Sequence, residues 1–431
     1  MRCPISAAAN SHWQVLVIGA GAAGLVAAER AASRGLKTLL LERNFRPGVK
    51  ILMSGGTRCN LTQNTDARGI VAAYGPPGRF LHSALAALSP QDLVALVEDE
   101  GVPTKIEETG KIFPVSNKAA DVLRAFLDRL HRSGCELALE ESLVGLARIE
   151  DSASGLVGFR LTTDKRTLTA ERLIITTGGQ SYPGSGTTGD GYRWAATFGH
   201  TIVPPRPALV PITTSAPWVR ELSGITIPDV VLRLLEPETN QSNPKQKILD
   251  TRRGSLLFTH FGLSGPVVLD ISRHISGHPH PQALHLECDF LPNIKTAELD
   301  SQLRQQAAAE GKKQLLSLVP ELLPRRLAEV LLREASLPPD KKAGELSNAN
   351  RATLIRALKQ LPIPVTGTRG FGKAEVTAGG VALGEIDSST LQSKLVPGLF
   401  FAGEVLDLDG PIGGYNFQAA FSTGWLAGKN V

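Results

Sequence analysis

The amino-terminal part of the chain alternates between short apolar runs and glycine-rich turns. The run WQVLVI begins at Trp13 and is followed by GAGAAG, by LVAAERAASRG and by a second apolar run, LKTLLLER. This order predicts a strand, a tight turn, a helix and a second strand within about thirty residues, the βαβ unit that begins a doubly wound α/β fold. Apolar spacing further predicts helices over 81–100 and 119–132, and short strands over 136–175.

The pattern changes twice in the rest of the chain. Residues 201–237 are rich in proline and β-branched side chains, which favours antiparallel strands, and residues 296–360 show the leucine, alanine and charged pattern of helices. From Thr366 to the end, the chain is again rich in glycine and apolar residues, as in its first 200 residues. We therefore expect a nucleotide-binding domain of residues 1–200 and 366–431, a β-rich inserted domain of 201–293 and 361–365, and a helical insertion of 294–360.

Composition narrows the class of protein. A chain of 431 residues with a mean hydropathy of −0.01 and 20% charged residues is typical of a globular protein and excludes a disordered or fibrous one. The four cysteines form no C-x-x-C pair, which excludes a disulfide scaffold, a zinc ribbon and a redox pair of neighbouring cysteines. The amino terminus lacks an apolar signal segment, and no apolar run is suited to span a membrane, so we expect a cytoplasmic protein without a membrane partner.

The surplus of positive charge is concentrated in one part of the chain. The net charge is +5, and residues 294–365 hold 12 lysines and arginines against 8 acidic residues. This distribution permits a polyanionic partner such as RNA. A solvated basic helix face is the alternative interpretation.

The turn after the first predicted strand carries the motif of a dinucleotide-binding site. In Gly19-x-Gly21-x-x-Gly24, the first glycine permits the tight turn, the second lets the backbone approach a pyrophosphate, and the third lets the helix pack on the strand. Glu42 ends the second strand, where a carboxylate can accept hydrogen bonds from ribose hydroxyls. The motif predicts FAD or NAD rather than NADP. No cluster of metal ligands and no Ser-His-Asp pattern stands out, so we expect no metal.

Further glycine-rich clusters favour FAD over NAD. FAD is long and needs contacts from distant segments, and such clusters occur at 50–60, 177–179 and 401–418. The last resembles the flavin-contacting segment of the glutathione-reductase-like fold, in which a helix N-terminus faces the flavin. We therefore expect non-covalent FAD. Because a second G-x-G-x-x-G domain is absent, NADH or NADPH is expected only as a transient electron donor.

The chain resembles the BaiN/YhiN-like flavoproteins, also described as aminoacetone-oxidase-like FAD-binding enzymes, along nearly its whole length. The similar stretches are SGGTRCNLT (54–62), GKIFPVSNKA (110–119), TTGGQSYPGSGTTGDGY (176–192), LLFTHFGLSGPVVL (256–269), VTAGGV (376–381) and LFFAGEVLDLDGPIGGYNFQAAFSTGWLAG (399–428). The resemblance implies an α/β, Rossmann-type FAD-binding domain interrupted by a β-barrel-like domain and a helical insertion. The chain departs from the family pattern at Thr57, which replaces a usual glycine, and at Gln392, which replaces a usual glutamate.

The motifs and the resemblance together assign a set of cofactor-binding residues. They are Gly19, Gly21, Gly24, Glu42, Arg43, Lys50, Ser54, Gly55, Asn60, Thr177, Gly178, Gly403, Glu404, Asp407, Gly413, Gly414, Tyr415 and Asn416.

Two residues are candidates for the chemistry itself. Cys59 lies beside Arg58, whose charge can lower a thiol pKa, although a small buried residue packing beside FAD is the favoured interpretation. His260 is a candidate for binding substrate or donating a proton near the flavin, and a purely structural histidine is the alternative.

The resemblance leaves three classes of function open. The first is an NAD(P)H-driven reductase of an electron-poor C=C bond, acting on uridine in ribosomal RNA to form dihydrouridine, or on small enones of the steroid or bile-acid type. The second is an oxidase of a small amine such as aminoacetone. The third is an FAD-containing RNA-binding protein without catalysis. The basic helical segment favours the RNA substrate, and DNA is not expected as a partner.

Overall fold

The amino-terminal strand, helix and second strand form the parallel βαβ unit that the pattern predicts. In the computed structural model, strand β1 (Ser11–Ile18) pairs in parallel with β2 (Thr38–Leu41), and helix α1 (Ala22–Ala32) connects them. A Cβ atom on Gly24 would lie 1.8 Å from the carbonyl oxygen of Gly19. Only glycine therefore lets α1 pack this closely against the turn that follows β1.

The structure describes residues 11–151, 156–236, 247–319 and 323–431. Cys3 and the other residues of 1–10, on which the prediction of no signal segment depends, lie outside them. The contacts divide the chain into two compact units, which are Met1–Arg206 with Val376–Val431, and Pro207–Glu375.

The first unit builds a sheet of seven strands around β1. Its other elements before the boundary are α2 (Val49–Thr57), β3 (Thr62–Gln63), α3 (Ala67–Tyr74), α4 (His82–Ala87), α5 (Pro90–Glu98), β4 (Thr104–Ile106), β5 (Lys111–Pro114), α6 (Ala119–Arg132), β6 (Glu136–Ala138), β7 (Leu143–Asp151), β8 (Leu156–Thr163), β9 (Thr167–Ile175), α7 (Asp190–Thr197) and β10 (Ile202–Ala208). The strand order is β6-β2-β1-β9-β8-β7, parallel from β6 to β9 and antiparallel beyond it.

The helix predicted over 81–100 is two helices, α4 and α5. Leu88 is extended, and the Ser89 side chain accepts a hydrogen bond from the backbone N–H of Asp92, which caps the start of α5. Pro90 at the first helical position lacks the N–H that a continuous helix requires. The sequence therefore ends one helix and begins the next at this point.

The second unit is an antiparallel sheet with helices, as the change of pattern predicts. Its elements are β11 (Ile212–Thr213), α8 (Pro217–Glu221), β12 (Thr226–Leu235), β13 (Ile248–Thr259), β14 (Gly262–Ser264), α9 (Pro266–Ser276), β15 (His285–Asp289), α10 (Thr296–Ala309), α11 (Arg325–Glu334), α12 (Asn348–Lys359), β16 (Leu361–Pro364) and β17 (Gly367–Thr368). Seven strands pair in the order β16-β15-β12-β13-β14-β11-β17. Buried leucines of the helices and of the strands belong to one hydrophobic core.

The last part of the chain returns to the first unit. It contributes β18 (Val376–Val381), β19 (Leu399–Phe401) and α13 (Tyr415–Asn430), and β19 pairs in parallel with β9. Helix α13 packs against α1 so closely that a Cβ atom on Gly424 would lie 2.3 Å from the carbonyl oxygen of Ala23. Both ends of the chain thus build one Rossmann-type unit, which confirms the predicted fold class.

The two compact units divide after Arg206 and before Val376. The β-rich and helical segments of the second unit share one hydrophobic core. Their division into two domains stays a prediction. Among the described helices, no single one is long and apolar enough to cross a membrane. The bent pair Pro76–Ala87 and Pro90–Glu98 satisfies that criterion by length and composition alone.

Candidate cofactor site

The turn after β1 leaves an open space in front of the first turn of α1. Gly19 has a φ of 100°, and a Cβ atom there would lie 2.8 Å from the carbonyl oxygen of Thr176, so the tight turn requires glycine. A Cβ atom on Gly21, in contrast, would meet no atom within 4 Å. Gly21 precedes α1, and no side chain of the described residues caps that helix. The free backbone N–H groups and the helix dipole therefore favour an anion such as a pyrophosphate at this point.

Glu42 lies next to this turn and is bound to its backbone. Its side chain is nearly buried, and its carboxylate accepts hydrogen bonds from the backbone N–H of Ala20, at 2.8 Å, and of Asn44, at 2.9 Å. A carboxylate has capacity for further donors. The arrangement therefore suits the ribose-binding role that the sequence predicts. The next residue, Arg43, pairs with Asp190 at 2.7 Å.

Lys50 and Glu404, which are far apart in the sequence, form an ion pair at 2.7 Å. The Lys50 ammonium also donates to the Ser181 hydroxyl, which donates to the Glu404 carboxylate at 2.7 Å. The same carboxylate accepts from the backbone N–H of Thr377 at 2.9 Å. This network, defined by Lys50, Ser181, Thr377 and Glu404, connects four glycine-rich segments. The sequence motifs do not assign Ser181 or Thr377 to the site. Each of them lies beside a glycine cluster in one of the stretches that resemble the family.

The segment 54–60 follows a left-handed path that fits its glycines. Gly55, Gly56 and Thr57 have φ values of 56°, 68° and 69°. At Thr57 a β-branched side chain therefore stands in a conformation that favours glycine, the residue usual in the family. Ser54 itself donates its hydroxyl hydrogen to the carbonyl oxygen of Ile51.

Asn60 joins this segment to the carboxyl-terminal glycines. With its amide oriented so that both ends are paired, it donates to the carbonyl oxygen of Thr62 at 3.1 Å and accepts from the backbone N–H of Gly414 at 3.0 Å. A Cβ atom on Gly414 would lie 2.6 Å from the carbonyl carbon of Thr62. Two of the predicted cofactor-binding segments therefore lie in direct contact.

Cys59 is fully buried, and burial raises the pKa of its thiol to about 12. This is opposite to the lowering expected from its neighbour Arg58. The Arg58 guanidinium pairs instead with Glu107 at 2.6 Å and lies over the Phe113 ring. Burial thus favours the packing role, which the sequence also favours, and a catalytic role of Cys59 stays a prediction.

The glycines of the carboxyl-terminal segment lie immediately before the start of α13. Gly413 and Gly414 have φ values of 128° and 95°, and within the described ranges no side chain caps the helix. The Asn416 amide holds the preceding loop, since it accepts from the backbone N–H of Gly410 at 2.8 Å and donates to its carbonyl oxygen at 2.9 Å. The carbonyl oxygen of Tyr415 accepts a hydrogen bond from Tyr74. The free N–H groups at this helix start can stabilise negative charge.

The loops after β9 and β19 complete the set of predicted residues. Gly178 and Gly403 have φ values of 73° and 79°. The Gly403 backbone N–H donates to the Thr423 hydroxyl at 2.9 Å. The Asp407 backbone N–H donates to Val381 at 3.1 Å. These contacts belong to the first unit, so the segments that carry the predicted cofactor residues are built into a single body.

The residues present fit an FAD molecule. The open space at Gly21 suits a pyrophosphate, and Glu42 suits a ribose. The Thr177 hydroxyl oxygen, just after β9, is buried and has no hydrogen-bond partner among the described residues.

His260 lies in the second unit, in the turn between β13 and β14. Its side chain is exposed, and its ring packs edge-on against Phe261 with a centroid distance of 5.0 Å. Arg369 covers the Phe261 ring at 4.3 Å. The role of His260 as a proton donor stays a prediction. In the described part of the chain, no group of three or more His, Cys, Asp or Glu side chains is arranged to hold a metal ion.

Comparisons with known proteins show the family to which the chain belongs. The family model described as the HI0933-like protein Rossmann domain matches residues 13–430. The chain is 33% identical to the ribosomal RNA dihydrouridine synthase of Escherichia coli over 423 residues, 97% of this chain and 98% of that protein. It is also 33% identical to the 3-dehydro-bile acid delta(4,6)-reductase of Clostridium scindens over 420 residues, 96% of this chain and 97% of that protein.

The fold is also found among solved structures. The 3-ketosteroid delta1-dehydrogenase from Sterolibacterium denitrificans is 14% identical, with a TM-score of 0.50, and the match covers 97% of this chain and 99% of that chain. At this identity the likeness extends to the fold alone.

Proposed function

The chain belongs to the HI0933-like Rossmann family, the flavin-dependent oxidoreductases that it resembles in sequence, and we propose on this premise that it reduces uridine in ribosomal RNA to dihydrouridine with electrons from NADH or NADPH. One observation carries the proposal. Two relatives are each 33% identical to this chain and matched over nearly their full length. One is named a dihydrouridine synthase, after its reduced product, and the other is named a reductase. Their common chemistry is the saturation of an electron-poor C=C bond.

The residues of the first unit have defined parts in this proposal. Bound FAD, once reduced, supplies the hydride, and a proton for the neighbouring carbon balances the reaction. Gly21 and Glu42 hold the pyrophosphate and the ribose, and the network of Lys50 and Glu404 fixes the loops around them. The start of α13 stabilises negative charge at the flavin. His260, which belongs to the second unit, stays the candidate proton donor that the sequence predicts.

The distribution of charge supports the RNA substrate over a small enone. In the helical part of the second unit, Lys313, Arg325 and Arg351 are paired with acidic side chains. The exposed Arg304 and Lys342 form no ion pair with any residue that the structure describes. They remain available for phosphate groups. A ribosomal RNA substrate also implies the cytoplasmic location predicted from the sequence.

The proposal is tested in cells by mapping dihydrouridine in ribosomal RNA after deletion of the gene. We expect one or more dihydrouridines to disappear and to return with the wild-type gene, but not with a Gly21→Ala gene. An unchanged dihydrouridine content after deletion contradicts the RNA substrate.

The bile-acid reductase relative favours a second candidate, reduction of small enones. It predicts NAD(P)H-dependent loss of enone absorbance with the purified protein in the absence of RNA. Release of hydrogen peroxide with aminoacetone, without any need for NAD(P)H, would favour the oxidase instead. Tight RNA binding by a flavoprotein that no nicotinamide reduces would favour the non-catalytic function.

A further inference from the structure

Arg369 carries a charge that no carboxylate of the described residues neutralises. It lies in the second unit, just after β17, and its side chain is partly exposed. The central carbon of its guanidinium lies 4.3 Å from the centroid of the Phe261 ring, and the group forms no ion pair within the described ranges. An arginine stacked on an aromatic ring keeps its charge and its N–H donors, and the ring holds it in a defined orientation.

Other arginines of the same sheet differ from Arg369 in this respect. Three arginines on strands β12 and β13 are each paired with a carboxylate at 2.7–2.8 Å. They are Arg233 with Glu287, Arg252 with Asp250, and Arg253 with Asp229. Their charges are compensated within the sheet, whereas that of Arg369 is open to an anion from outside the chain.

The pairing of the strands places Arg369 beside the turn between β13 and β14. Strand β11 pairs with β14 on one side and with β17 on the other. His260 and Phe261 form the turn between β13 and β14. The Arg369 guanidinium and the His260 ring both pack on the Phe261 ring. A ligand bound by the guanidinium is therefore only one ring away from the candidate proton donor.

The same segment offers a second cation. Lys373 is exposed, and its backbone N–H donates to the carbonyl oxygen of Gly370 at 3.1 Å, which closes the turn after Arg369. No described carboxylate pairs with the Lys373 ammonium, and Glu375 is the only acidic residue in the sequence 366–375. Two cations in succession suit a ligand with successive anionic groups, such as the phosphates of RNA, better than a small enone with one carboxylate.

We propose that Arg369 binds a phosphate group of the ribosomal RNA substrate. The planar guanidinium matches two oxygens of one phosphate, and the Phe261 ring fixes its plane. Lys373 engages a neighbouring phosphate. The inference rests on the proposed function and adds to it a residue that positions the RNA next to His260.

The test measures binding of ribosomal RNA that lacks dihydrouridine to the full-length protein, between about 50 and 200 mM salt. Each phosphate contact adds about 0.7–0.9 to the slope of log affinity against log salt concentration. We expect Arg369→Gln to weaken binding about tenfold and to lower the slope by about that amount. Arg325→Gln is the matched control and should keep the wild-type slope, since Arg325 is exposed but paired with Glu329 at 2.9 Å.

Arg369→Lys separates phosphate binding from a structural role. Lysine keeps the charge but not the planar fork, so we expect weaker binding with the salt slope of the wild type. A structural role predicts equal slopes for the wild type, Arg369→Gln and Arg369→Lys, with a lower melting temperature of both variants. That result would overturn the inference.

Two further outcomes identify the source of a failure. Loss of kcat/KM in Arg369→Gln for a carboxylate-bearing enone, with unchanged RNA binding, would assign the guanidinium to a carboxylate and exclude the phosphate. A wild type that forms no dihydrouridine in ribosomal RNA would contradict the proposed function and the inference with it. Dihydrouridine formation with equal salt slopes for wild type and Arg369→Gln would contradict the inference alone.

Discussion

In the first unit, helices α1 and α13 meet through glycine and alanine, whereas in the second unit helix α12 is joined to its sheet by a buried lysine. Gly424 allows the backbone of α13 to touch that of Ala23. Lys359 of α12 pairs with Asp289 of β15 at 2.7 Å, and both side chains are about nine-tenths buried. The Lys359 ammonium also donates to the carbonyl oxygens of Leu291 and Ile294.

The difference teaches which property each unit depends on. In the first unit the backbones approach each other closely, which leaves room for a cofactor. No atom can be added where two backbones meet. The second unit depends on the burial of side chains and on one fully paired buried charge. Single substitutions should therefore act through steric conflict in one unit and through loss of charge pairing in the other.

The largest effect is expected for Gly24→Ala in the first unit. The added methyl group would lie 1.8 Å from the Gly19 carbonyl oxygen, so α1 must move away from the turn. We expect a loss of about 3 kcal/mol or more of unfolding free energy and no bound flavin. Urea unfolding and the flavin absorbance measure both effects. The open position Gly21 provides the control, because flavin-free Gly21→Ala should keep the stability of flavin-free wild type. Equal stability of Gly24→Ala and Gly21→Ala would contradict the steric account.

In the second unit, Lys359→Met should cost about 3–5 kcal/mol of unfolding free energy. The substitution leaves the Asp289 carboxylate buried without its partner. Adding Asp289→Asn removes the unpaired charge and should restore part of the stability. Urea unfolding of the two variants measures this coupling. If Lys359→Met were as stable as wild type, the ion pair would not support this core.

A smaller effect, dependent on pH, is expected at His200 of the first unit. Its buried ring lies between Glu385, at 3.1 Å, and Ser393, at 2.8 Å. Burial lowers its pKa below the ordinary value of 6.5. The unfolded chain therefore binds a proton before the folded one does, so stability is complete above pH 6.5 and decreases as the pH falls below it. Unfolding measured from pH 8 to pH 5 should show this loss, with a smaller slope in His200→Phe. The same slope in both proteins would exclude His200 as its source.

The smallest effect is expected for Thr57→Gly, which should raise the unfolding free energy by about 1 kcal/mol. Thr57 has a φ of 69°, a conformation that is strained for a β-branched side chain and free of strain for glycine. Thr57→Ser, which keeps a Cβ atom, is the control and should gain less. Thermal unfolding measures both variants. A lower stability of Thr57→Gly would mean that the loop is not strained there.

The sequence predicts the first unit well because its signals are local. The βαβ unit follows from periodicity and three glycines within a short stretch, and Gly19, Gly21 and Gly24 each have the steric surroundings that the motif requires. The break between α4 and α5 also had a local signal, Ser89 followed by Pro90, that the apolar pattern obscured.

The remainder of the site depends on contacts between distant residues. Lys50 meets Ser181 and Glu404 across 131 and 354 positions of sequence, and no periodicity reports such a contact. The alternative role of Cys59 as a reactive thiol depends on its surroundings for a related reason. Its sequence neighbour Arg58 turns towards Glu107, and the burial that raises the pKa of the thiol arises from distant segments.

The most direct test of the account is an anaerobic absorption measurement on the purified protein. NADH or NADPH is added first, and ribosomal RNA that lacks dihydrouridine is added afterwards. We predict a yellow protein whose flavin bands are bleached by a nicotinamide and return on addition of the RNA, with dihydrouridine formed in equal amount. Flavin that is bleached but stays reduced in the presence of the RNA would contradict the RNA substrate, and a protein that binds no FAD would contradict the account as a whole.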